Sequence, residues 1–222
     1  MISKPFAWSY SVLDMYNTCP KKYYHIKVAK DAKDSDSAFS GEGKKIHDAV
    51  YKRVTEGIPL PLPMRPFEKT VGTYAMLPGE KHGELRLALN EKLEPVDFFD
   101  RDAWVRAVVD YLVVDDDKAL IVDWKTGKIK DGFEQLKLTA AVLSRYMPEI
   151  NKFTLAYVWL KQGGKATSIK MEKKHMKEVW IDNYASVKEI KHALKTTTFP
   201  ANENPLCRWC PVMQCPHNAK DS

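Results

Sequence analysis

Two hydrophobic segments joined by an acidic turn are the feature that most restricts the fold of this chain. Residues 103–114 and 118–125 are rich in Val, Ile, Leu and Trp, and three aspartates at 115–117 separate them. Short apolar runs bounded by a turn are typical of buried, paired β-strands. Each strand nevertheless carries one carboxylate, Asp110 in the first and Asp123 in the second. We therefore predict a β-hairpin that brings two acidic side chains into an apolar layer.

The second strand adds a lysine two residues after its carboxylate. Because side chains alternate along a strand, Asp123 and Lys125 are predicted to point to the same face. Burying a carboxylate costs free energy unless its charge is compensated. Where acidic side chains converge, divalent metal ions supply the compensating charge. The combination indicates metal-assisted phosphodiester hydrolysis. The alternative is a strand that ends in a turn, with Asp123 capping a backbone N–H and Lys125 extending to water.

A histidine upstream is a candidate third member of this group. His47 lies on a predicted helix over residues 43–55, beside the apolar stripe of Ile46, Val50 and Val54, so it faces inward. An inward histidine is usually a core residue with its hydrogen bonds satisfied. One that meets two inward carboxylates and a lysine is a better candidate for a metal ligand.

The remaining pattern predicts an α/β fold without internal repeats. Alternating residues indicate a strand at 85–93. Glu91 on its apolar face either marks a strand edge or is an additional candidate ligand. Polar residues at 31–42 indicate a loop, and the Pro-rich residues 57–82 indicate an extended, irregular segment with room for a short helix. Further strands are predicted at 153–160 and 166–172, with helices at 11–19, 43–55, 132–147 and 173–195.

Four cysteines occupy the two ends of the chain: Cys19 alone, and Cys207, Cys210 and Cys215 in a C-x2-C-x4-C motif. Structural zinc sites more often use two CxxC pairs. The first residues, MISKPFAWSYS, lack the long apolar run of a secretory signal peptide. We therefore expect a cytoplasmic, intracellular protein of cellular or phage origin, in which disulfides are disfavoured. A thiolate metal site, free thiols and two disulfides are the alternatives.

The composition suits a single domain over residues 1–222 with a polyanionic partner. A chain of 222 residues buries a substantial core, and no apolar run approaches a membrane span. The net charge is +6. If some acidic residues bind metal, the rest of the surface is more basic than this value suggests and suits a polyanion. The same charge also fits a surface that only keeps the protein soluble. Tyr23 and Tyr24, set among lysines, either stack on unpaired bases or pack around the first helix.

The order of His47, Asp110, Asp123-x-Lys125 and Gln135 resembles the PD-(D/E)xK nuclease superfamily, specifically its RecB-like branch, which includes CRISPR-associated exonucleases. The resemblance implies a central mixed β-sheet flanked by helices, the restriction-endonuclease-like core, with a C-terminal Cys-rich tail docked on the N-terminal helix. The matching segments are residues 41–50, 106–114, 121–128 and 134–140.

The resemblance also implies a set of roles. One or two Mg²⁺ or Mn²⁺ ions would be bound by His47, Asp110, Asp123 and the Trp124 carbonyl. Asp110, Asp123, Lys125 and Gln135 would form the catalytic set. The expected function is a metal-dependent DNA exonuclease, acting on single strands or free ends in recombination, repair or phage and CRISPR-type DNA processing. The alternatives are an endonuclease or RNA nuclease with the same centre, or a non-catalytic nucleic-acid-binding module.

For the cysteines, the resemblance implies a [4Fe–4S] cluster that joins the C-terminal tail to the first helix, with structural zinc as the alternative. The cluster ligands would be Cys19, Cys207, Cys210 and Cys215.

Two positions depart from the family pattern. The family usually has Gly shortly before the first Asp, where this chain has Ala107, and its helical motif reads Gln-x-x-x-Tyr, where Thr139 follows Gln135. Tyr146 is about 16 Å further along the helix than Gln135 and is not expected to substitute for that Tyr.

Overall fold

The structure is a computed structural model that describes residues 6–34 and 41–218. Within these residues, six strands form one mixed sheet with helices packed on it, which confirms the predicted α/β fold class. The strands are β1 (Glu80–Leu89), β2 (Pro95–Val96), β3 (Val105–Asp115), β4 (Lys118–Lys125), β5 (Lys152–Trp159) and β6 (Lys165–Glu172). The helices are α1 (Tyr10–Thr18), α2 (Pro20–Tyr23), α3 (Gly41–Thr55), α4 (Glu68–Ala75), α5 (Glu134–Tyr146) and α6 (Met176–Thr196).

The sheet has the strand order β2-β1-β3-β4-β5-β6. Strands β4 and β5 are parallel, and every other neighbouring pair is antiparallel. A parallel pair needs a crossover connection, which α5 provides between β4 and β5. This crossover brings the start of α5 to the end of β4, where Asp123 and Lys125 lie.

The core beside the predicted hairpin is built as the apolar patterns indicate. Val50 on α3 and Val71 on α4 are completely buried against Tyr111 of β3 and Trp124 of β4. Each such side chain contributes about 1.5–3 kcal/mol by leaving water. The helix stripe that includes Ile46 and Val54 is therefore what holds α3, and with it His47, on the sheet.

Two predicted segments differ in the structure. Strand β1 ends at Leu89, four residues before the predicted end, because Asn90 Oδ1 accepts hydrogen bonds from the backbone N–H groups of Lys92 and Glu94 and folds the chain into a turn. The Pro-rich segment 57–82 contains the short helix that was allowed for, as a 3₁₀ helix (Leu62–Phe67) followed by α4, but it also contains the start of β1, which was not predicted. Of the predicted loop 31–42, residues 35–40 lie outside the described residues.

The chain folds into two compact units, each with its own internal packing. Among the described residues, one unit contains residues 6–7 and 41–180, which include the whole sheet. The other contains residues 8–34 and 181–218. The prediction of a single domain over the whole chain stays a prediction. Across the residues that the structure describes, no helix combines the length and apolarity needed to cross a membrane.

In the second unit, residues near the start of the chain contact residues of the C-terminal segment. The Thr18 carbonyl at the end of α1 accepts hydrogen bonds from the side-chain amides of Asn202 (3.0 Å) and Asn204 (3.3 Å). The Lys21 N–H donates to the Pro200 carbonyl at 3.1 Å. Tyr23 is buried, so of its two predicted roles the structure supports packing around the first helix.

Candidate active site

Asp110 and Asp123 lie where the pairing of β3 and β4 ends. The antiparallel register stops at Tyr111↔Val122, and the two aspartates occupy the next positions of their strands. Asp110 Oδ2 accepts a hydrogen bond from the Trp124 N–H at 2.9 Å, so a side chain takes the place of a ladder partner. This contact fixes the first carboxylate at the point where the strands separate.

Three potential metal ligands converge at this point. His47 on α3, Glu84 on β1 and Asp110 on β3 each present one donor atom, and the three donor atoms lie within 4.8 Å of one another. His47 Nδ1 is 3.4 Å from Asp110 Oδ2. An imidazole and two carboxylates from three separate elements are a donor set that binds divalent first-row metals.

Asp123 forms hydrogen bonds with a different pair of residues. Lys125 Nζ is 2.8 Å from Asp123 Oδ2, as expected for side chains on one face of a strand, and Gln135 Nε2 donates to the same oxygen at 2.9 Å. Lys125 also donates to Gln135 Oε1 at 3.2 Å and lies 5.1 Å from the centre of the Tyr157 ring. The lysine is thus held by an acid, an amide and an aromatic face.

The electrostatics of the centre favour a bound cation. Burial, followed by the nearby Asp123 charge, raises the pKa of Asp110 well above its ordinary value. Burial and the charge of Asp48 raise the pKa of Glu84. Burial lowers the pKa of His47, which favours the neutral imidazole that ligation requires. A divalent ion would remove the carboxylate repulsion, so the residues present fit a metal site.

Glu84 is the functional candidate that the sequence patterns did not reveal. It occupies β1 opposite Asp110, with a backbone φ of +49° that non-glycine residues rarely adopt. Such conformations cluster at functional sites. A Cβ on the preceding Gly83 would lie 2.6 Å from the Tyr51 ring of α3, so glycine is needed there. The predicted start of β1 at residue 85 excluded both residues. The sequence pattern that could have revealed Glu84 is an acidic residue that directly follows a glycine, just before the alternating strand.

Other sequence expectations have clear outcomes. Glu91, the candidate extra ligand, is exposed in the turn after β1, so that expectation was wrong. The Trp124 indole packs against Tyr74 and Tyr111. The Trp124 backbone forms a hydrogen bond with His47, so the backbone of this residue lies beside the metal donors. Tyr146 Oη is bonded to backbone atoms of Ala88, which agrees with its not replacing the family tyrosine.

The four cysteines form a second candidate site in the second unit, which joins residues near the start of the chain to the C-terminal segment. They are free thiols of intermediate exposure and line a cavity of about 450 Å³. Backbone N–H groups of Asn202 and Asn204 point at sulfur, 3.4 Å from Cys19 Sγ and Cys207 Sγ respectively. Burial raises the pKa of the Cys210 thiol, and the nearby Cys19 and Cys215 thiols raise it further.

Substitution of two donors tests the metal centre. We expect His47→Ala and Glu84→Gln each to raise the Mn²⁺ concentration for half-maximal nuclease activity at least roughly tenfold, because each removes one ligand. Excess Mn²⁺ should restore part of the activity. A titration of activity against Mn²⁺ measures this, with the exposed His192→Ala as the matched control. Lower thermal stability with unchanged Mn²⁺ dependence would instead identify His47 as a core residue.

Comparison with known families matches residues 67–216 to the model of the PD-(D/E)XK nuclease superfamily. The match includes Glu84, Asp110, Asp123, Lys125 and Gln135, and it begins after His47. No curated protein matches the chain. A solved structure, the crystal structure of SSO0001, is 13% identical, with 93% of this chain and 85% of that chain covered and a TM-score of 0.47. That similarity is too low to support an argument about the site.

Proposed function

We propose that this chain, which belongs to the PD-(D/E)XK nuclease superfamily, is a DNA exonuclease of the RecB-like branch. Membership of the superfamily indicates metal-dependent hydrolysis of nucleic acid. The finer assignment to DNA ends is supported by the resemblance of the Asp110 to Gln135 segment and by the cysteine arrangement. Recombination, repair and phage or CRISPR-type DNA processing are the processes we propose for it.

The observation that carries the proposal is the donor trio beside a restrained lysine. His47, Glu84 and Asp110 are close enough to share one ion. Their chemistry suits Mn²⁺, and Mg²⁺ with its stronger preference for oxygen ligands is the second candidate. When bound, such an ion lowers the pKa of a water molecule and neutralises charge on the phosphate. We propose one or two ions, with Asp123 and the Trp124 carbonyl as further ligands.

Lys125 is positioned to act on the attacking water. Its side chain is 30% exposed although Asp123 beside it is 9% exposed, so part of the lysine is accessible from solvent. We propose that Lys125 orients the water and donates a hydrogen bond to the phosphate oxygen where negative charge develops. The Gln135 amide bonds both Asp123 and Lys125 and thereby sets their separation.

For the cysteines we propose a [4Fe–4S] cluster that joins α1 to the C-terminal tail. A tetrahedral zinc site would hold its thiolates about 3.8 Å apart, given a Zn–S distance near 2.3 Å. In residues 6–34 and 41–218, no three of the cysteine thiols lie within 4.8 Å of one another. The Asn202 and Asn204 N–H groups that point at sulfur support the cluster proposal, since hydrogen bonds to the sulfurs are a feature of iron–sulfur sites.

Cleavage of labelled linear and circular DNA tests the proposed function. With Mn²⁺ or Mg²⁺, we expect the purified protein to release nucleotides from end-labelled linear DNA and to spare covalently closed single-stranded circles, because an exonuclease needs an end. EDTA should abolish the activity.

The same assay separates the alternatives. Rapid cutting of closed circles would favour an endonuclease, and a preference for RNA of the same sequence would favour an RNA nuclease. Binding of DNA without hydrolysis, with either metal, would contradict the proposal and favour a non-catalytic binding module.

A further inference from the structure

An exposed aromatic residue contacts Arg86 of β1, the strand that also carries Glu84. Phe99 is 78% exposed, in the turn between β2 and β3. Its ring meets Phe98 edge to face, with centroids 5.1 Å apart and an interplanar angle of 88°. The Arg86 guanidinium lies 5.8 Å from the centre of both rings. Together, Arg86, Phe98 and Phe99 form an aromatic platform.

The aromatic platform is held rigidly. Arg106 Nε donates to the Phe98 carbonyl at 2.6 Å, and Nη2 of the same residue donates to the Asp100 carbonyl at 3.3 Å. The Asp100 carboxylate in turn accepts from the Asp102 N–H at 2.7 Å. An exposed phenylalanine whose turn is fixed in advance loses little conformational freedom when it binds a ligand.

Strand geometry links the aromatic platform to the strand that carries Glu84. Arg86 pairs with Val108 and lies two positions along β1 from Glu84, and two strand residues span about 7 Å. A strand with its phosphate at the donor trio would therefore bring a nearby base to Phe99.

The chemistry of the aromatic platform selects an unpaired base. An aromatic ring flanked by an arginine offers stacking and cation–π contacts to any base, whereas bases inside a duplex already stack on their neighbours. One exposed phenylalanine is far too small an area for a stable protein interface. The turn carries Asp97, Asp100 and Asp102 beside Arg101, so it is not an electropositive surface that follows the backbone.

We propose that Phe99, supported by Arg86 and Phe98, stacks on an unpaired nucleobase of the strand that is cleaved at the donor trio. This inference rests on the proposed nuclease function and specifies its substrate as nucleic acid that is unpaired next to the scissile phosphate. Because stacking is not an ionic interaction, its contribution to binding is expected to be independent of salt.

The test measures equilibrium binding of a labelled oligothymidylate and of a duplex to the full chain in EDTA, which prevents hydrolysis. We expect Phe99→Ala and Phe99→Leu to weaken single-strand binding roughly tenfold, by the same factor at low and high salt. Phe99→Trp should retain binding, since its ring also stacks. Leu keeps an apolar surface without an aromatic face, so it separates stacking from simple apolar contact.

Met76→Ala is the matched control, because Met76 is 83% exposed and lies near the opposite end of the paired strands β1 and β3. It should bind both nucleic acids as the wild type does. A fluorescent 2-aminopurine base in the single strand gives a direct readout, since stacking on Phe99 should quench it and Phe99→Ala should remove that quenching.

The outcomes separate the two proposals. Single-strand binding by Phe99→Ala within twofold of wild type, or an equal loss on duplex, with intact wild-type hydrolysis, overturns this inference alone. Absence of wild-type hydrolysis with either metal overturns the proposed function. Selective loss with Phe99→Ala and Phe99→Leu, together with retention by Phe99→Trp, supports stacking on an unpaired base.

Discussion

Replacing Asp110 with asparagine is expected to reduce hydrolysis roughly a thousandfold or more, while the protein still folds. Asp110 is one of the three metal donors, and its Oδ2 atom also accepts the hydrogen bond from the Trp124 N–H. Asparagine keeps the shape and can still accept a hydrogen bond from Trp124. It removes the negative charge that would bind the ion, and initial rates of nucleotide release with Mn²⁺ measure the loss.

The same substitution should raise the melting temperature in EDTA. Without metal, the wild-type fold must either bury the Asp110 charge beside Asp123 and Glu84 or hold a proton on it, as the raised pKa indicates. Each kcal/mol relieved corresponds to about 2–4 °C for a chain of this size. Asp117→Asn, at a partly exposed acid paired with Lys152, is the control and should leave activity unchanged. Near-normal activity of Asp110→Asn would remove Asp110 from the mechanism.

Loss of a single cysteine is expected to have the largest effect on stability. Cys210→Ser should abolish the brown colour and broad visible absorption of protein purified without oxygen, which should otherwise contain iron and sulfide near four per chain. The cluster would connect Cys19 with the C-terminal tail, so it closes almost the whole chain. Cross-links over long loops contribute on the order of several kcal/mol, and the melting temperature and yield should fall accordingly.

Met213→Ala controls for the tail itself, because Met213 lies between Cys210 and Cys215 and is half exposed. It should keep the colour and the metal content. Stoichiometric zinc without iron in the wild type would contradict the cluster and leave a zinc site. A Cys210→Ser protein with unchanged stability would show that the thiols carry no structural group.

Much of the fold is readable from local sequence, because the governing signals are short-range. The hydrophobic runs on either side of the 115–117 turn indicate β3 and β4, and the alternation of side chains places Asp123 and Lys125 on one face. The stripe at Ile46, Val50 and Val54 orients α3 inward. These expectations depend on the strand period of two and the helix period of 3.6, which neighbouring residues fix.

The end of β1 is a case where local pattern misled. The alternation runs on to Leu93, but Asn90 and the positive φ of Leu93, +61°, close a turn there. A hydrogen bond between a side chain and the backbone competes with the hydrogen bonds between strands, and the pattern of apolar residues gives no sign of it. The true strand begins earlier as well as ending earlier, so it includes Glu84 and leaves Glu91 in the turn.

Which residues meet at the centre depends on tertiary structure. Glu84 joins His47 and Asp110 because β1 pairs with β3 and α3 packs over both, and these contacts link distant parts of the chain. The contact of Phe99 with Arg86, two residues from Glu84 on β1, likewise depends on how the chain folds. The sequence by itself determined the residue types, their local faces and the chemistry they permit. Only the tertiary structure decided which side chains meet, because strand register and helix packing are set by burial across the whole core.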